Sequence, residues 1–297
     1  MPNPQIIVIM KRMTTGSAPS LKSSIQESGQ SILWERGVAS HLGGRSEQQD
    51  RWGFFQPHSQ EGLLAIVADG MGGHREGALG AQIAIDIARH FILDPPASLG
   101  TDPPAALNHL CNQMHKVINS RSETARSTLV MVWLAPAKAY WLNIGDSRLY
   151  HFRDGHRLMR TRDHSVVQLL TDLGEIQESE MGTHPAQNRL YRCLGGEELP
   201  RFDQGDLVIQ TGDLLALCSD GVWEHVTENE FWTATLDCGP AAAARQLVDM
   251  AVQRGGADAD NATLVLLRAD AETAHDVPRW LHWLSAGFAS LLNRNQR

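Results

Sequence analysis

The sequence predicts an α+β fold, layered and mainly antiparallel, and three observations carry that reading. Short apolar runs stop at Asp or Gly, as strands do. Amphipathic stretches with helical spacing lie between them, two in succession. The order is strands, two helices, more strands, helices and a closing strand, which is not the alternation of a doubly wound parallel sheet. No internal repeat with a period of about 20–50 residues is evident.

Taken in order, Thr14 to Ser31 is rich in Ser, Gly and Gln, so residues 1–31 read as a flexible tail and order is expected from Ile32. Trp52 to Phe55 is strand-like, and Gly62 to Gly70 is an apolar strand stopped by Asp-Gly. Leu79, Ile83, Ile87 and Phe91 mark a helix after His74. Leu107, Leu110, Cys111, Met114, Val117 and Ile118 mark a second, entered through Pro103-Pro104. Ala139 to Tyr150 alternates and reads as one strand containing Gly145-Asp146. Asp154-Gly155 reads as a hairpin turn. Ser165-x-x-Gln168 and Thr227-x-x-Glu230 fit capping boxes. Asp213 to Gly221 is another strand ending in Asp-Gly. Ala241 to Arg254 is a helix stopped by Gly255-Gly256, and Asn261 to Arg268 is the last strand. Residues 271–297 carry an apolar stripe through Trp280, Trp283, Leu284 and Phe288. They read as an amphipathic C-terminal helix docked on the domain, with a partner or membrane surface as the alternative.

Composition excludes several classes. The chain has 297 residues, 42% apolar and 20% charged, ordinary for a globular protein with a sizeable core. No apolar run approaches the ~18 residues of a membrane span, and Gln5 to Met10 is too short for a signal core of roughly 7–15 residues. A net charge of -8 argues against a nucleic-acid binder. Cys111, Cys193, Cys218 and Cys238 form no C-x-x-C pair, so they read as incidental thiols in a reducing, cytoplasmic setting.

The chemistry-bearing pattern is a set of carboxylates. Asp69, Asp146, Asp220 and Asp260 stand at the ends of apolar runs, and Asp50 precedes the strand-like Trp52 to Phe55. Strand ends can converge on one sheet edge. Clustered carboxylates repel unless a cation neutralises them, and oxygen ligands select hard cations. Gly70 and Gly221 follow their Asp directly, so the backbone there can approach an ion closely. Singly, each Asp-Gly reads equally well as a turn.

Several motifs in fixed order sharpen this reading. They are Arg45 to Asp50, Ala68-Asp69-Gly70-Met71-Gly72-Gly73-His74, Ser127-Thr128, and Asn143 to Tyr150. Asp163-His164-Ser165, Thr183-His184-Pro185, Ser219 to Trp223 and Asp260 to Thr263 follow. Together they resemble the bacterial branch of the metal-dependent protein phosphatases (PPM, protein phosphatase type 2C) over roughly Gly37 to Arg268. The resemblance implies an αββα sandwich of two antiparallel sheets flanked by helices, over residues 32–270, with a flap near 165–188. It implies hydrolysis of phosphoserine and phosphothreonine by a metal-activated water. The cofactors are two Mn²⁺ or Mg²⁺ ions with a third, weaker one. Asp69 bridges the two ions, the Gly70 carbonyl joins one, and Asp220 and Asp260 bind the other. Asp146 holds the third ion, Asp50 belongs to the same metal set, and Arg45 clamps the phosphate. His74 and His184 are the candidate proton donors or phosphate contacts, Thr128 and Asn261 support the centre, and His164 braces a helix entry. The implied partner is a phosphorylated protein, a Ser/Thr kinase or its targets, met by a monomer. Two departures stand out: Gln48-Gln49 replaces Asn-Glu, and Arg126 replaces a Gly before Ser127, which implies altered packing near Thr128. The Gln pair motivates the alternative of a catalytically weak binding or regulatory module. A phosphatase of small metabolites is a third reading.

Overall fold

Residues 32–72, 74–136 and 138–271 are described by a computed structural model. The expected tail lies outside these residues, as does the expected C-terminal helix apart from Ala271, which ends a strand. Twelve strands run β1 Ile32–His41, β2 Arg51–Phe55, β3 Leu63–Ala68, β4 Gly70–Met71, β5 Arg126–Ser127, β6 Leu129–Leu134, β7 Lys138–Ile144, β8 Arg148–Arg153, β9 His156–Arg160, β10 Asp203–Val208, β11 Leu214–Cys218 and β12 Ala262–Ala271. The helices used below are α1 His74–Leu93, α2 Pro103–Arg121, α3 Val166–Asp172, α4 Asp220–Trp223 and α5 Glu228–Gly255.

Ten of the strands form two five-stranded sheets, ordered β1-β12-β11-β8-β9 and β10-β7-β6-β3-β2. Every pairing within them is antiparallel. β4 and β5 make a separate two-stranded ribbon. Side-chain alternation explains the layers. Leu63, Ala65 and Val67 of β3 meet Leu215, Leu217, Val265 and Leu267 between the sheets. Leu64, Ile66 and Ala68 face the other way and pack under α1 and α2 through Ala84, Ile85, Leu107 and Met114. On the far side, Leu214, Ala216, Leu264 and Leu266 pack against Phe231, Ala244 and Leu247 of α5. Both faces of the central strands are buried, so they read as unbroken apolar runs rather than alternating ones. The α+β class and the αββα sandwich are therefore the observed architecture.

One predicted element is corrected. Ala139 to Tyr150 is not one strand: β7 belongs to one sheet and β8 to the other. The chain crosses between them at Gly145, whose φ of 105° only glycine adopts readily. A Cβ there would also lie 2.7 Å from Thr128 Cβ. The alternation continued through the crossing, so the sequence pattern concealed it. The sequence reading also passed over β1, β6 and β10. The Asp154-Gly155 turn is present, with both residues at positive φ between β8 and β9. Glu230 closes its capping box by accepting from Thr227 N–H at 2.8 Å. At α3, Ser165 Oγ accepts from Gln168 N–H at 3.3 Å, but Gln168 Oε1 accepts from Asp163 N–H at 3.4 Å rather than from the cap.

Asp213, just ahead of β11, shows how acid should act on the sheet that carries it. It accepts from Arg153 Nε at 2.6 Å, His151 Nε2 at 2.9 Å and Gln210 N–H at 2.9 Å. Burial alone would raise its pKa, but these donors pull it down to about 2. A depressed carboxylate contributes stability above its unfolded pKa near 4 and loses it as pH falls through the folded value. Asp213→Asn should therefore lose about 2 kcal/mol of stability at neutral pH. The gap to wild type should close between about pH 4 and pH 2. Urea titrations across that range check it; a gap independent of pH would contradict it.

Candidate active site

Antiparallel register gathers the candidate carboxylates. Arg51, which follows Asp50, pairs with Ala68, which precedes Asp69. Leu129 pairs with Ile144, just before Gly145-Asp146. In the other sheet Cys218, two residues before Asp220, pairs with Leu264 and Arg148. All these termini lie at one end of the sandwich. Ser219 Oγ donates to Asp50 Oδ2 at 2.7 Å, and Asn261 Oδ1 accepts from Gln49 N–H at 2.7 Å. These two bonds fasten one sheet's edge to the other's.

The electrostatics follow from this crowding. Burial, then Asp220, Asp50, Asp146 and Asp260, hold the Asp69 carboxyl well above the ordinary range. Burial pushes Asp50 up to about 7, with Asp220 and Asp260 adding to it and hydrogen bonds from Ser219 and Thr263 opposing. Asp220 rises to about 6 through burial and Asp260. Asp146 is raised by burial, Asp220 and Asp163 against the pull of Arg148. Like charges so placed cost free energy until a cation or protons offset them. Asp50 Oδ1 is buried and has no hydrogen-bond partner among the described residues. Among the described residues no three His, Cys, Asp or Glu side chains are already drawn into a closed ligand cluster. Arg45 Nη2 instead pairs with Asp260 Oδ2 at 2.6 Å. The donors are all oxygen, one of them is orphaned, and the charge surplus is negative. That set fits hard divalent cations.

The neighbouring residues position this set. Thr128 Oγ1 accepts from Asp69 N–H at 3.0 Å and shares a 2.7 Å bond with Ser147 Oγ. Ser127 Oγ and Thr128 N–H both donate to the Asp69 carbonyl, at 3.0 and 2.8 Å. Asn261 Nδ2 donates to Leu42 O at 2.8 Å, so its amide ties two loops together. Gly70 and Gly221 are required by close backbone approach. A Cβ on Gly70 would sit 2.0 Å from Gly77 O, and one on Gly221 2.3 Å from Asn261 O. His164 Nδ1 accepts from Gly145 N–H at 3.1 Å, bracing the turn that presents Asp146. Gln48 spends its amide on the loop, donating to Ser40 Oγ and His41 O at 3.0 Å and accepting from Asp50 N–H at 2.9 Å. Gln49 lies against α1, where a Cβ on Gly77 would be 2.8 Å from its Oε1.

Other candidates are not brought together. The His74 side chain lies outside the described residues. His184 Nδ1 accepts from Ala186 N–H at 3.1 Å, and no hydrogen bond or ion pair among the described residues joins it to the carboxylates. The Arg126 guanidinium turns to the Glu123 and Ala125 carbonyls.

The sequence reading missed two features. Glu224 lies one helical turn after Asp220, and burial with Asp220 and Asp260 pushes it up to about 8. Its i+4 spacing from Asp220 was the available signal. Arg148 is buried and grips Asp163 through Nε at 2.9 Å and Nη2 at 2.6 Å. It also donates to Tyr150 Oη at 3.0 Å and lies 3.5 Å from the Trp223 ring centre. Trp223 Nε1 in turn donates to Asp146 O at 3.0 Å, which fixes the Asp146 backbone.

Two layered antiparallel sheets with a carboxylate-lined edge suited to hard cations define the class of fold and site, and the comparisons specify it. The profile of the protein phosphatase 2C family matches residues 37–250, and the chain belongs to that family. A serine/threonine phosphatase, stp, of Listeria monocytogenes is 33% identical over 193 residues, covering 63% of this chain and 76% of that protein. The solved serine/threonine phosphatase of S. agalactiae superposes with a TM-score of 0.72 at 25% identity, covering 80% of this chain and all (100%) of that one. The catalytic domain of the phosphatase PstP, solved in complex with 2 manganese ions, gives a TM-score of 0.64 at 27% identity, covering 80% of this chain and 99% of that one.

Proposed function

We propose that this chain is a metal-dependent serine/threonine protein phosphatase. The observation that carries the reading is the convergence of Asp50, Asp69, Asp146, Asp220 and Asp260 from two sheets onto one edge, where burial and mutual repulsion raise the first four. Asp69 and the Gly70 carbonyl, with Asp220 and Asp260, would hold two Mn²⁺ or Mg²⁺ ions, and Asp146 would help hold a third, weaker one. Bound there, such ions supply a water-derived nucleophile at neutral pH and offset phosphate charge. Asp50 keeps Asp69 and Asp220 company in the negative field that attracts cations, anchored by Ser219. Arg45, half exposed beside Asp260, swings its planar fork to two oxygens of the incoming phosphoryl group. Thr128 and Ser127 hold Asp69 through its backbone, and Asn261 keeps the Asp260 loop closed on Gln49. His184 serves the substrate side from the flap. The substrate is a phosphorylated protein, a kinase or its target, met by a monomer in the cytoplasm. The support for a protein substrate is the name of the solved relative PstP, a serine threonine protein phosphatase.

Hydrolysis of p-nitrophenyl phosphate should require added metal, run faster with Mn²⁺ than with Mg²⁺ and cease in EDTA. A panel of phosphoserine and phosphothreonine peptides against phosphosugars then separates protein from metabolite substrates. Undiminished turnover in EDTA by protein free of bound metal would overturn the reading.

A further inference from the structure

We infer that a recess around Arg126, beside the carboxylate cluster, is a subsite for an oxyanion carried on the substrate chain near its phosphorylated residue, an inference that rests on the phosphatase reading above. The recess borders the reacting edge through the β4–β5 ribbon. Arg126 pairs with Met71, and the next pair is Ser127 with Gly70. Alternation sends Ser127 Oγ to the Asp69 carbonyl and the Arg126 side chain to the other face. There it lines a recess of about 500 Å³ together with Ile144, Arg192, Gly195, Gly196 and Arg201.

The Arg126 guanidinium is held in place with one edge to spare. Nη1 donates to Glu123 O at 2.9 Å and Ala125 O at 2.8 Å. Nε and Nη2 have no acceptor among the described residues. Gly195 and Gly196, at φ 83° and 94°, form the adjoining wall with no side chain to fill it. Two other arginines among the described residues use this Nε–Nη2 edge for a carboxylate. Arg148 grips Asp163 with it at 2.9 and 2.6 Å, and Arg153 grips Asp213 with it at 2.6 and 2.7 Å. Two parallel N–H donors match the oxygen pair of a carboxylate or phosphate. The recess contains further charge of both signs. Arg192 is engaged with Asp203 at 3.3 Å and His164 at 3.1 Å, while Arg201, Glu197 and Glu198 stand exposed at the rim. The three Arg outnumber the two Glu, so the lining is net positive. An extended peptide advances about 3.3 Å per residue. Residues a few positions from a phosphoserine held at the carboxylate edge can therefore reach Arg126.

The test uses the Mn²⁺-loaded full chain and phosphoserine peptides that differ only near the phosphoserine, carrying Ala, Glu or a second phosphoserine. Wild type should show roughly a tenfold higher kcat/KM for the acidic peptides than for the Ala peptide. Arg126→Gln should bring that ratio to near one, and Arg126→Lys, which keeps the charge but not the fork, should fall between. The ratio is read on one enzyme sample, so a partly unfolded variant does not distort it. The better of the two acidic peptides assigns the oxyanion as carboxylate or phosphate. A wild-type ratio near one, or a ratio unchanged in Arg126→Gln, overturns the subsite while turnover of every peptide upholds the phosphatase reading. No turnover of p-nitrophenyl phosphate or of any peptide by wild type overturns both.

Discussion

Asp69→Asn and Asp220→Asn should each lower kcat for p-nitrophenyl phosphate by at least ~100-fold at saturating Mn²⁺. Each removes a full negative charge from the edge where five carboxylates converge, while leaving an oxygen and nearly the same shape. The same substitutions should raise the melting temperature of the protein in EDTA. Burial and neighbouring carboxylates hold both groups above their ordinary range, so neutralising either relieves repulsion. This opposite movement of activity and metal-free stability is the signature of a site strained for function. Asp154→Asn is the control, because Asp154 occupies the β8–β9 turn at φ 50°, a conformation Asn also tolerates. It should keep wild-type turnover within about twofold. If all three variants lost activity alike, or if the Asp69 and Asp220 variants melted lower in EDTA, the sorting of ligands from turns would fail.

The second large effect falls on stability. Asp163→Ala should cost roughly 3–5 kcal/mol, because it strands the Arg148 guanidinium in a buried site. Asp163 is fully buried and accepts three hydrogen bonds from Arg148, through Nε at 2.9 and 3.1 Å and Nη2 at 2.6 Å. The Tyr150 hydroxyl and the Trp223 ring remain around the cation without charge, and the carboxyls of Asp146, Glu178 and Glu224, which feel its field, make no hydrogen bond or ion pair with it among the described residues. Urea unfolding of both proteins measures the loss. A change under about 1 kcal/mol with an unaltered m-value would mean that water or another group takes over from Asp163. Activity should fall as well, since Trp223 links this ion pair to the Asp146 backbone.

Local chemistry made part of this protein legible in its residues. Asp-Gly stops marked the ends of β3 and β11, and Gly255-Gly256 marked the end of α5. Thr227 and Glu230 announced a cap, and Asp154-Gly155 a hairpin, because each depends on residues a few positions apart. The same stops singled out Asp69 and Asp220, and Asp260 stood just ahead of the last strand. The convergence of those residues was another matter, since it depends on strand order. Asp50 meets Ser219 across 169 positions of chain, and Gln49 meets Asn261 across 212. Ala139 to Tyr150 looked like one strand because alternation is the same in either sheet. Only the packing of Gly145 on Thr128 turns the chain from one sheet to the other and delivers Asp146 to the edge. Gly70 and Gly221 were legible as places for close approach, but the partners that approach are backbone carbonyls of Gly77 and Asn261. Glu224 and the Arg148–Asp163 pair carried no local signal strong enough to separate them from surface charge. Burial gives them their energetics, and burial is decided by which helix and which strand finally cover them.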